Sequence, residues 1–380
     1  MHRTQGEEVS EVILIVGGYG DVGAFLGPEL IAAQYDQIRV AGRSEKKARD
    51  MAQKLGESAS WVVMDVHDAD SVDAALEGVG TVVGCIDQRE YHLLREVVRR
   101  GLRYVDVTAS REFIETGLGL SGEAQSSGAR VLLAAGLTPG LINMMARRCA
   151  DAVGGAQEVH THGLFSTGDS YGLAAVRFML QAMPKPYTIM SGGVERVVRC
   201  FGAHRDVSFP APVEHRRVFL YAYPDQFFYP RTLGAHTSTS WFALEPPWVT
   251  KTIAWMLRLG GRFFLKFKAV QWLLLKTFSL TSALQRGEDQ LMFSVEVTGP
   301  EGTCWAGVRG HGEGAGTGIS AGLMLRELLE NDQVPPGVWL PEQVISLETY
   351  MPAMAERGWR VELRLHEKHS SCDQALKSAE

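Results

Sequence analysis

A glycine-rich hexapeptide near the start of the chain has the spacing of a phosphate-binding turn. Gly18, Gly20 and Gly23 form a G-x-G-x-x-G pattern that follows the apolar run Val12 to Val16 and opens a helical pattern. The first glycine permits a tight turn, the second lets the backbone approach a pyrophosphate, and the third lets the helix pack close to the strand. The alternative is a glycine turn that only packs. We predict that it binds a dinucleotide, with contacts from Gly18, Tyr19, Gly20, Asp21, Val22 and Gly23.

The residue 20 positions beyond Gly23 bears on which dinucleotide binds, and it is Arg43. A carboxylate near this position normally holds the ribose 2'-hydroxyl of NAD, whereas an arginine accommodates the 2'-phosphate of NADP. Arg43 is followed by Ser44, whose hydroxyl can donate to a phosphate, and by Lys47, which adds positive charge near a helix start. The alternative is that Arg43 is only solvated and Glu45 binds the ribose. We predict NADP(H).

Two further pairs of residues follow strands and are expected to line the same cofactor site. In a doubly wound sheet, Asp65 and Val66 at the end of the third strand would lie near the adenine. Cys85 and Ile86, after the fourth strand, would lie near the nicotinamide ribose. Cys85 is interpreted as a packing residue rather than a nucleophile, because no nearby sequence would stabilise its thiolate.

A reductase that uses this cofactor needs a proton donor, and several side chains qualify without one being singled out. His92 lies on the helix after the fourth strand, with a structural histidine as the alternative. Asp106 ends the fifth strand, at the edge where ligands bind in open parallel sheets, with a helix or loop cap as its alternative. Ordinary surface use is the alternative for the remaining candidates, which are Tyr171, Tyr229 and His236.

The elements that position these residues are a series of short β-branched runs alternating with amphipathic helical segments through the first third of the chain. Such alternation predicts an α/β fold, a Rossmann-type doubly wound parallel sheet. Six strands are predicted, at Val12 to Val16, Ile38 to Val40, Trp61 to Met64, Thr81 to Val83, Tyr104 to Val107 and Val131 to Ala134.

The pattern changes after Pro139, where less regular sequence predicts an inserted domain with a mixed sheet. We predict a dinucleotide-binding domain over residues 1–140 and a substrate and dimerisation α/β domain over 141–317. C-terminal helices over 318–365 would return to the first domain, and residues 366–380 would form a flexible tail. The predicted assembly is a homodimer.

Composition excludes several classes of protein. A formal net charge of -6 and a pI near 6.0 leave no overall positive field for nucleic acid. The five scattered cysteines, without a C-x-x-C pair, fit reduced thiols and suggest no metal site. The polar first ten residues lack the pattern of a secretory signal, and no apolar run is long enough to span a bilayer. A cytoplasmic protein with a small-molecule substrate is expected.

The stretch from Pro246 to Arg286 is unusual, since it combines basic and aromatic residues and contains no acidic residue. Such a segment is typical of a surface that contacts an anionic membrane or an acidic carrier protein, or that covers an apolar pocket. The alternative is an insertion that packs on its own domain or on a dimer mate, with lysine and arginine stems covering apolar surface.

A set of motifs resembles the saccharopine dehydrogenase-like family of NAD(P)-dependent oxidoreductases. The resemblance extends to about Glu362 and rests on GGYGDVG, AGRS, residues 91–106, AGLTPGLIN and PPGVW. It implies a Rossmann domain interrupted by a mixed α/β domain. It also implies hydride transfer with NADP(H) to a C=N (imine) or C=O bond of an amino-acid-derived or hydrophobic metabolite. Two alternatives remain open: a dinucleotide-binding sensor without catalysis, and a trans-acting enoyl reductase on acyl chains.

Overall fold

A computed structural model describes residues 11–166, 180, 182–273, 276, 290–331 and 334–367. The described chain divides into two compact units. The first extends to Leu141 and is completed by His311–Gly358. The second consists of the described residues between Ile142 and Gly310 and of those from Trp359 onward.

The first unit is built on a seven-stranded parallel sheet with the order β15-β6-β5-β4-β1-β2-β3. The central strands are almost fully buried because helices cover both faces, which explains why they lack the alternating pattern of half-exposed strands. This sheet confirms the predicted Rossmann-type fold. Its strands are β1 (Val12–Val16), β2 (Ile38–Gly42), β3 (Ala59–Val63), β4 (Val79–Gly84), β5 (Arg103–Asp106), β6 (Arg130–Leu132) and β15 (Gly337–Trp339).

Seven helices connect these strands or lead out of the sheet. They are α1 (Gly23–Ala32), α2 (Glu45–Leu55), α3 (Ala69–Ala75), α4 (His92–Arg99), α5 (Arg111–Gly119), α6 (Ser121–Ser127) and α7 (Leu141–Ala152). Helix starts are local in origin, because Ser44, Asp68 and Ser110 cap α2, α3 and α5 with side-chain oxygens. Strand and helix therefore alternate, and the carboxyl ends of the strands meet along one edge.

The chain returns to the first unit through α11 (Glu313–Glu330), β15, α12 (Pro341–Val344) and α13 (Leu347–Glu356). The last two helices are separate, because Ile345 is extended and Ser346 caps α13. The return was placed at residues 318–365. In the structure it begins at His311 and ends at Gly358, after which the chain enters the second sheet.

The second unit contains a nine-stranded mixed sheet, which confirms the expected second α/β unit. Its main path is β10-β11-β12-β7-β13-β14-β16, and β8 pairs with β12 and β9. Among the described strands of this sheet, β12 and β7 form the only parallel pair. The strands are β7 (Glu158–Ser166), β8 (Pro186–Ser191), β9 (Val194–Arg199), β10 (His204–Ser208), β11 (His215–Tyr221), β12 (Thr237–Glu245), β13 (Leu291–Gly299), β14 (Gly302–Gly310) and β16 (Arg360–Glu367).

The sequence did not identify β8, β10, β14 or β16. Residues 360–365 had been assigned to the returning helices and 366–367 to the tail, yet they pair with β14 from Arg360↔Arg309 to Glu367↔Gly302. The helical segments of this unit after β11 are α8 (Tyr229–Thr232), α9 (Pro247–Met256) and α10 (Arg262–Phe264). Residues 368–380 lie outside the described chain.

Candidate dinucleotide-binding site

The glycine turn joins β1 to α1 and leaves no room for a side chain at Gly17 or Gly23 and little room at Gly18. A Cβ on Gly17 would lie 2.4 Å from Ile86 Cγ2, and Gly17 also has a positive φ of 78°. A Cβ on Gly23 would lie 2.4 Å from the Gly17 carbonyl oxygen. At Gly18 the closest atom, the Ile15 carbonyl oxygen, is 3.1 Å away. Close approach of strand, turn and helix therefore requires glycine here, as the sequence predicts.

The turn also has the free backbone donors that a phosphate needs. Val22 is the N-cap residue of α1, and its side chain accepts no capping hydrogen bond. Within the described part of the chain, the N–H groups of Asp21 and Val22 donate to no backbone or side-chain acceptor. These donors lie at the positive end of the α1 dipole, an arrangement that favours a pyrophosphate.

Tyr19 folds from the glycine turn onto the end of β2. Its hydroxyl oxygen accepts a hydrogen bond from the Ser44 backbone N–H at 2.9 Å. The ring lies so close to Gly42 that a Cβ there would be 2.5 Å from it, so Gly42 must be small. Tyr19 thus connects the phosphate-binding turn to the residues that follow β2.

Three residues after β2 differ in how their side chains are used. The Ser44 hydroxyl oxygen caps α2 by accepting from the Lys47 N–H at 3.4 Å, which leaves its proton able to donate. Arg43 is exposed, and its guanidinium has no ion pair or hydrogen bond with the described residues. Lys47 lies with its ammonium 6.0 Å from the Tyr19 ring centroid. Positive charge and donors are therefore available beside the turn.

Glu45 has a different partner from the one that the NAD alternative requires. Its carboxylate forms an ion pair with Arg49 one helical turn further along α2. The Arg49 guanidinium also lies 4.9 Å from the Trp61 ring centroid on β3. The Glu45 carboxylate therefore points along α2 toward Arg49, an orientation that disfavours Glu45 as the ribose ligand.

The predicted adenine and nicotinamide residues follow β3 and β4 as expected from the topology. Asp65 turns its carboxylate back to accept from the His67 N–H at 3.1 Å, and Val66 is partly exposed. Ile86 packs against Gly17, and its carbonyl oxygen accepts from the Thr108 hydroxyl at 3.1 Å. Cys85 is buried, and burial raises the pKa of its thiol, which fits a packing role.

Asp106, a candidate proton donor, lies at the carboxyl end of β5 with no solvent exposure. Its Oδ2 accepts from the Tyr104 hydroxyl and from Gln88 Nε2, and its Oδ1 accepts from the Thr108 N–H at 2.7 Å. Burial raises the pKa of Asp106 to about 6, against the lowering effect of these hydrogen bonds. The carboxylate joins the ends of β4 and β5, and it occupies the space where Gly84 lacks a side chain.

Gln88 and Thr108 were not singled out from the sequence, because nothing local distinguishes them from other loop residues. Gln88 is almost fully buried, and its Oε1 accepts no hydrogen bond within the described chain. An acceptor of this kind near the carboxyl ends of β4 and β5 suits an amide donor on a ligand.

His92 is the first residue of α4, and it faces another helix. Its Nε2 lies 3.7 Å from Asp73 Oδ1 on α3, and the same carboxylate oxygen pairs with Arg100 at 3.1 Å. This position supports the structural alternative for His92, in which it joins an ion-pair group between α3 and α4.

The remaining candidates belong to the second unit or lie outside the described chain. Tyr229 is fully buried at the start of α8, whereas His236 is exposed in the turn before β12. The His236 N–H donates to the Gln157 carbonyl oxygen at 2.9 Å. Tyr171 lies outside the described residues. The catalytic role of all five candidates remains a prediction.

The sequence missed an acidic residue that packs beside the glycine turn. Helix α11 lies so close to α1 that a Cβ on Gly314 would be 2.6 Å from the Asp21 carbonyl oxygen. Glu313, the first residue of α11, therefore comes near the Asp21 carboxylate. Burial, and then repulsion from Asp21, raise the pKa of Glu313 to about 7. Only the fold could reveal this pair, since 292 residues separate its members.

The described residues contain neither a metal-binding cluster nor a helix that could cross a bilayer. No cluster of three or more histidine, cysteine, aspartate or glutamate side chains there could hold a metal ion. No helix within the same residues is both long and apolar enough to cross a bilayer.

Part of the first unit matches a known domain family. Residues 13–132 match the model of the saccharopine dehydrogenase NADP binding domain. No curated protein matches the chain by sequence. Among solved structures, apo saccharopine dehydrogenase (L-Glu forming) from Saccharomyces cerevisiae is similar over 94% of this chain and 100% of its own, with 17% identity and a TM-score of 0.63.

Two other solved structures are similar over about a third of the chain. Pen from Bacillus thuringiensis covers 33% of this chain and 50% of its own, at 16% identity and a TM-score of 0.28. A 3-ketoacyl-(acyl-carrier-protein) reductase from Brucella melitensis covers 32% and 74%, at 17% identity and a TM-score of 0.28. Likeness at this level carries no information about function.

These matches confirm the resemblance drawn from the sequence motifs. The first unit carries a nicotinamide dinucleotide-binding domain of the saccharopine dehydrogenase type. The whole chain has the fold of saccharopine dehydrogenase, a Rossmann sheet interrupted by a second unit with a mixed sheet.

Proposed function

We propose that the protein is an NADP(H)-dependent oxidoreductase that transfers hydride to a C=N or C=O bond of a small metabolite. The class of reaction rests on the dinucleotide-binding domain and on its family. The preference for NADP rests on the residues after β2, and above all on the unpaired guanidinium of Arg43.

The preference for a 2'-phosphate follows from the charged residues after β2. The residue at the expected ribose position is the cation Arg43, and Glu45, the first carboxylate after β2, is paired with Arg49 in an exposed ion pair. Arg43, the Ser44 hydroxyl and Lys47 provide a charge-assisted binding site for a phosphate dianion. The Tyr19 hydroxyl fixes the Ser44 backbone, so this group is held in place before any ligand arrives.

The residues of the chain have separate tasks in this proposal. The bound nicotinamide would supply the hydride, and the free amides of Asp21 and Val22 would hold the pyrophosphate. Asp106 acts as a positioning residue, because its buried carboxylate joins the loops after β4 and β5. Proton donation is left to the candidates Tyr171, Tyr229 and His236.

The test is a fluorescence titration of the full chain with NADPH and with NADH. We expect NADPH to bind at least tenfold more tightly, since one charge-assisted contact to phosphate contributes about 1.5 to 3 kcal/mol. Arg43→Ala should remove most of this preference by weakening NADPH binding while leaving NADH binding nearly unchanged.

Lys54→Ala is the matched control, because Lys54 is an exposed cation in the last turn of α2, the helix that begins two residues after Arg43. It changes the net charge as Arg43→Ala does, so it should leave both affinities as they are. Equal affinity of the wild type for the two cofactors would contradict the proposed 2'-phosphate site.

A further inference from the structure

A group of large apolar side chains is exposed on the segment that follows β12. Trp248 and Trp255 are each 62% exposed, and Leu259 is 68% exposed. We call the exposed apolar members of residues 248–273, with the cations between them, the aromatic surface. Its apolar members are Trp248, Trp255, Met256, Leu259, Phe263, Phe264, Phe267, Trp272 and Leu273.

The orientation of α9 is inverted relative to that of an ordinary surface helix. The side that packs inward carries Thr250 and Ala254, and the Thr250 hydroxyl is bonded to the Leu244 backbone. The side that faces outward carries Trp248 and Trp255. A soluble helix normally buries its large apolar residues and exposes its polar ones. Helix α9 instead exposes its large apolar side chains to solvent, so its conformation does not depend on burying those rings.

Cations are interspersed with the exposed rings. Lys251, Arg258, Lys266 and Lys268 are exposed, and Lys276 Nζ lies 5.9 Å from the Trp272 ring centroid. No acidic residue occurs between Pro246 and Arg286. Each exposed ring therefore has positive charge within a turn or two along the chain, and no carboxylate of this segment offsets that charge.

A cavity of about 270 Å³ lies at the edge of the aromatic surface. Its exposed lining is almost entirely apolar, and the residues around it are Phe219, Ala254, Trp255, His204, Arg217, Lys251 and Arg258. Arg217 is held by Asp206, with an N–O distance of 2.9 Å, on neighbouring strands. An apolar lining of this kind suits an apolar chain rather than an anionic group.

We propose that the aromatic surface binds an anionic phospholipid bilayer. Exposed tryptophan and phenylalanine rings insert at the boundary between headgroups and acyl chains, and lysine and arginine bind the negative headgroups above them. A bilayer accommodates side chains spread along a segment of 26 residues without requiring a complementary shape. An acidic protein partner would instead need a fitted apolar face for the same rings.

This proposal is independent of the NADP proposal, since every residue it uses belongs to the second unit. It is tested by sedimentation of the full chain with vesicles of phosphatidylcholine, and with vesicles that also contain phosphatidylserine. We expect binding to the anionic vesicles that is at least tenfold tighter, that weakens as salt is added, and that shifts tryptophan emission to the blue.

Two sets of substitutions separate the contribution of the aromatic rings to vesicle binding from that of the cations. Trp255→Ala with Phe264→Ala and Trp272→Ala should lower the affinity at least tenfold and remove the blue shift. Lys251→Glu with Arg258→Glu and Lys268→Glu should lower it by a similar factor, with the salt dependence reduced. Because all six side chains are exposed, thermal unfolding of both variants should match the wild type.

Matched controls come from β9, where Val194, Arg196, Val197 and Arg199 are exposed. Val194→Ala with Val197→Ala, and Arg196→Glu with Arg199→Glu, should leave vesicle binding unchanged. The proposal is overturned if the wild type ignores anionic vesicles, or if the controls lose binding as fully as the aromatic variant. It is also overturned if the aromatic substitutions dissociate a dimer while the wild type does not sediment with vesicles.

Discussion

Two groups of polar residues at the carboxyl edge of the parallel sheet differ in how far their hydrogen-bonding capacity is used. After β1 and β2, the amides of Asp21 and Val22 and the guanidinium of Arg43 have no acceptor within the described chain. After β4 and β5, the Asp106 carboxylate accepts from Tyr104, Gln88 and Thr108. The first group is open to a ligand, whereas the second mainly holds the fold.

This difference shows that strand-end position alone does not identify a catalytic group. Asp106 ends its strand where ligands bind in such sheets, and its raised pKa would suit an acid or base. Yet its side chain is inaccessible, and its neighbours explain both its burial and its protonation behaviour. An open set of donors is better evidence for a ligand than a perturbed pKa in a closed cluster.

The largest expected effect comes from removing Asp106, the acceptor of the group after β4 and β5. Asp106→Ala leaves the buried donors of Tyr104 and Thr108 without an acceptor and removes one of the two acceptors of Gln88 Nε2, so the free energy of unfolding should fall by about 3 to 5 kcal/mol. Urea denaturation measures the loss. Arg43→Ala, in the open group, should change it by no more than about 0.5 kcal/mol.

Asp106→Asn is the conservative partner of that test, because it keeps the volume and one acceptor oxygen. It should cost less than the alanine substitution. If Asp106→Ala lowered the free energy of unfolding no more than Arg43→Ala does, the hydrogen bonds of the second group would not support the fold more than those of the first.

The next effect concerns the close approach within the open group. Gly23→Ala places a Cβ 2.4 Å from the Gly17 carbonyl oxygen, so the turn must distort and its amides lose their common orientation. We expect dinucleotide affinity to fall about a hundredfold, which corresponds to about 2.7 kcal/mol. Titration with NADPH measures the change.

Gly122→Ala is the matched control for that substitution. Gly122 lies inside α6, and a Cβ there would meet nothing within 4 Å. Alanine should therefore leave dinucleotide affinity unchanged and stabilise the protein by up to about 1 kcal/mol. Retained affinity in Gly23→Ala would show that the turn binds no pyrophosphate.

The smallest effect concerns Glu313, which lies beside the glycine turn and whose pKa is raised to about 7. A carboxyl with a raised pKa in the folded state stabilises fully below its unfolded value, near 4.5, and this contribution is lost as the pH rises through 7. Glu313→Gln should therefore match the wild type at about pH 4.5 and exceed it by roughly 1 to 3 kcal/mol at pH 8.

Thermal or urea unfolding at the two pH values checks this expectation. Asp21→Asn provides the companion variant, because removing the neighbouring charge should lower the pKa of Glu313 and shrink the difference between pH 4.5 and pH 8. A pH-independent gain in Glu313→Gln would instead assign the effect to packing.

Much of the first unit could be predicted because its signals are local. Buried parallel strands are short apolar runs, and the glycine turn has fixed spacing, so β1 was located to the residue. In the second unit, β8, β10, β14 and β16 were missed. Antiparallel and edge strands there mix polar and apolar residues, and pairing with distant partners decides their conformation.

The site divides in the same way. Spacing along the chain pointed to Arg43 and Ser44, since the distance from turn to strand end is fixed in this type of domain. The closed state of Asp106 could not be predicted, because its three donors come from β5, from the loop after β4 and from the residue after Val107. Whether the hydrogen-bonding capacity of a polar group is used within the fold depends on its neighbours in space.

The sequence by itself determined a dinucleotide-binding turn, the order of strands and helices around it, and a basic aromatic segment without acidic residues. The tertiary structure decided what each group can do. It placed Glu313 beside Asp21, paired Glu45 with Arg49, and turned Trp248 and Trp255 outward. The physical reason is that periodicity and spacing are properties of a local segment, whereas burial, pairing and exposure arise only when distant segments pack together.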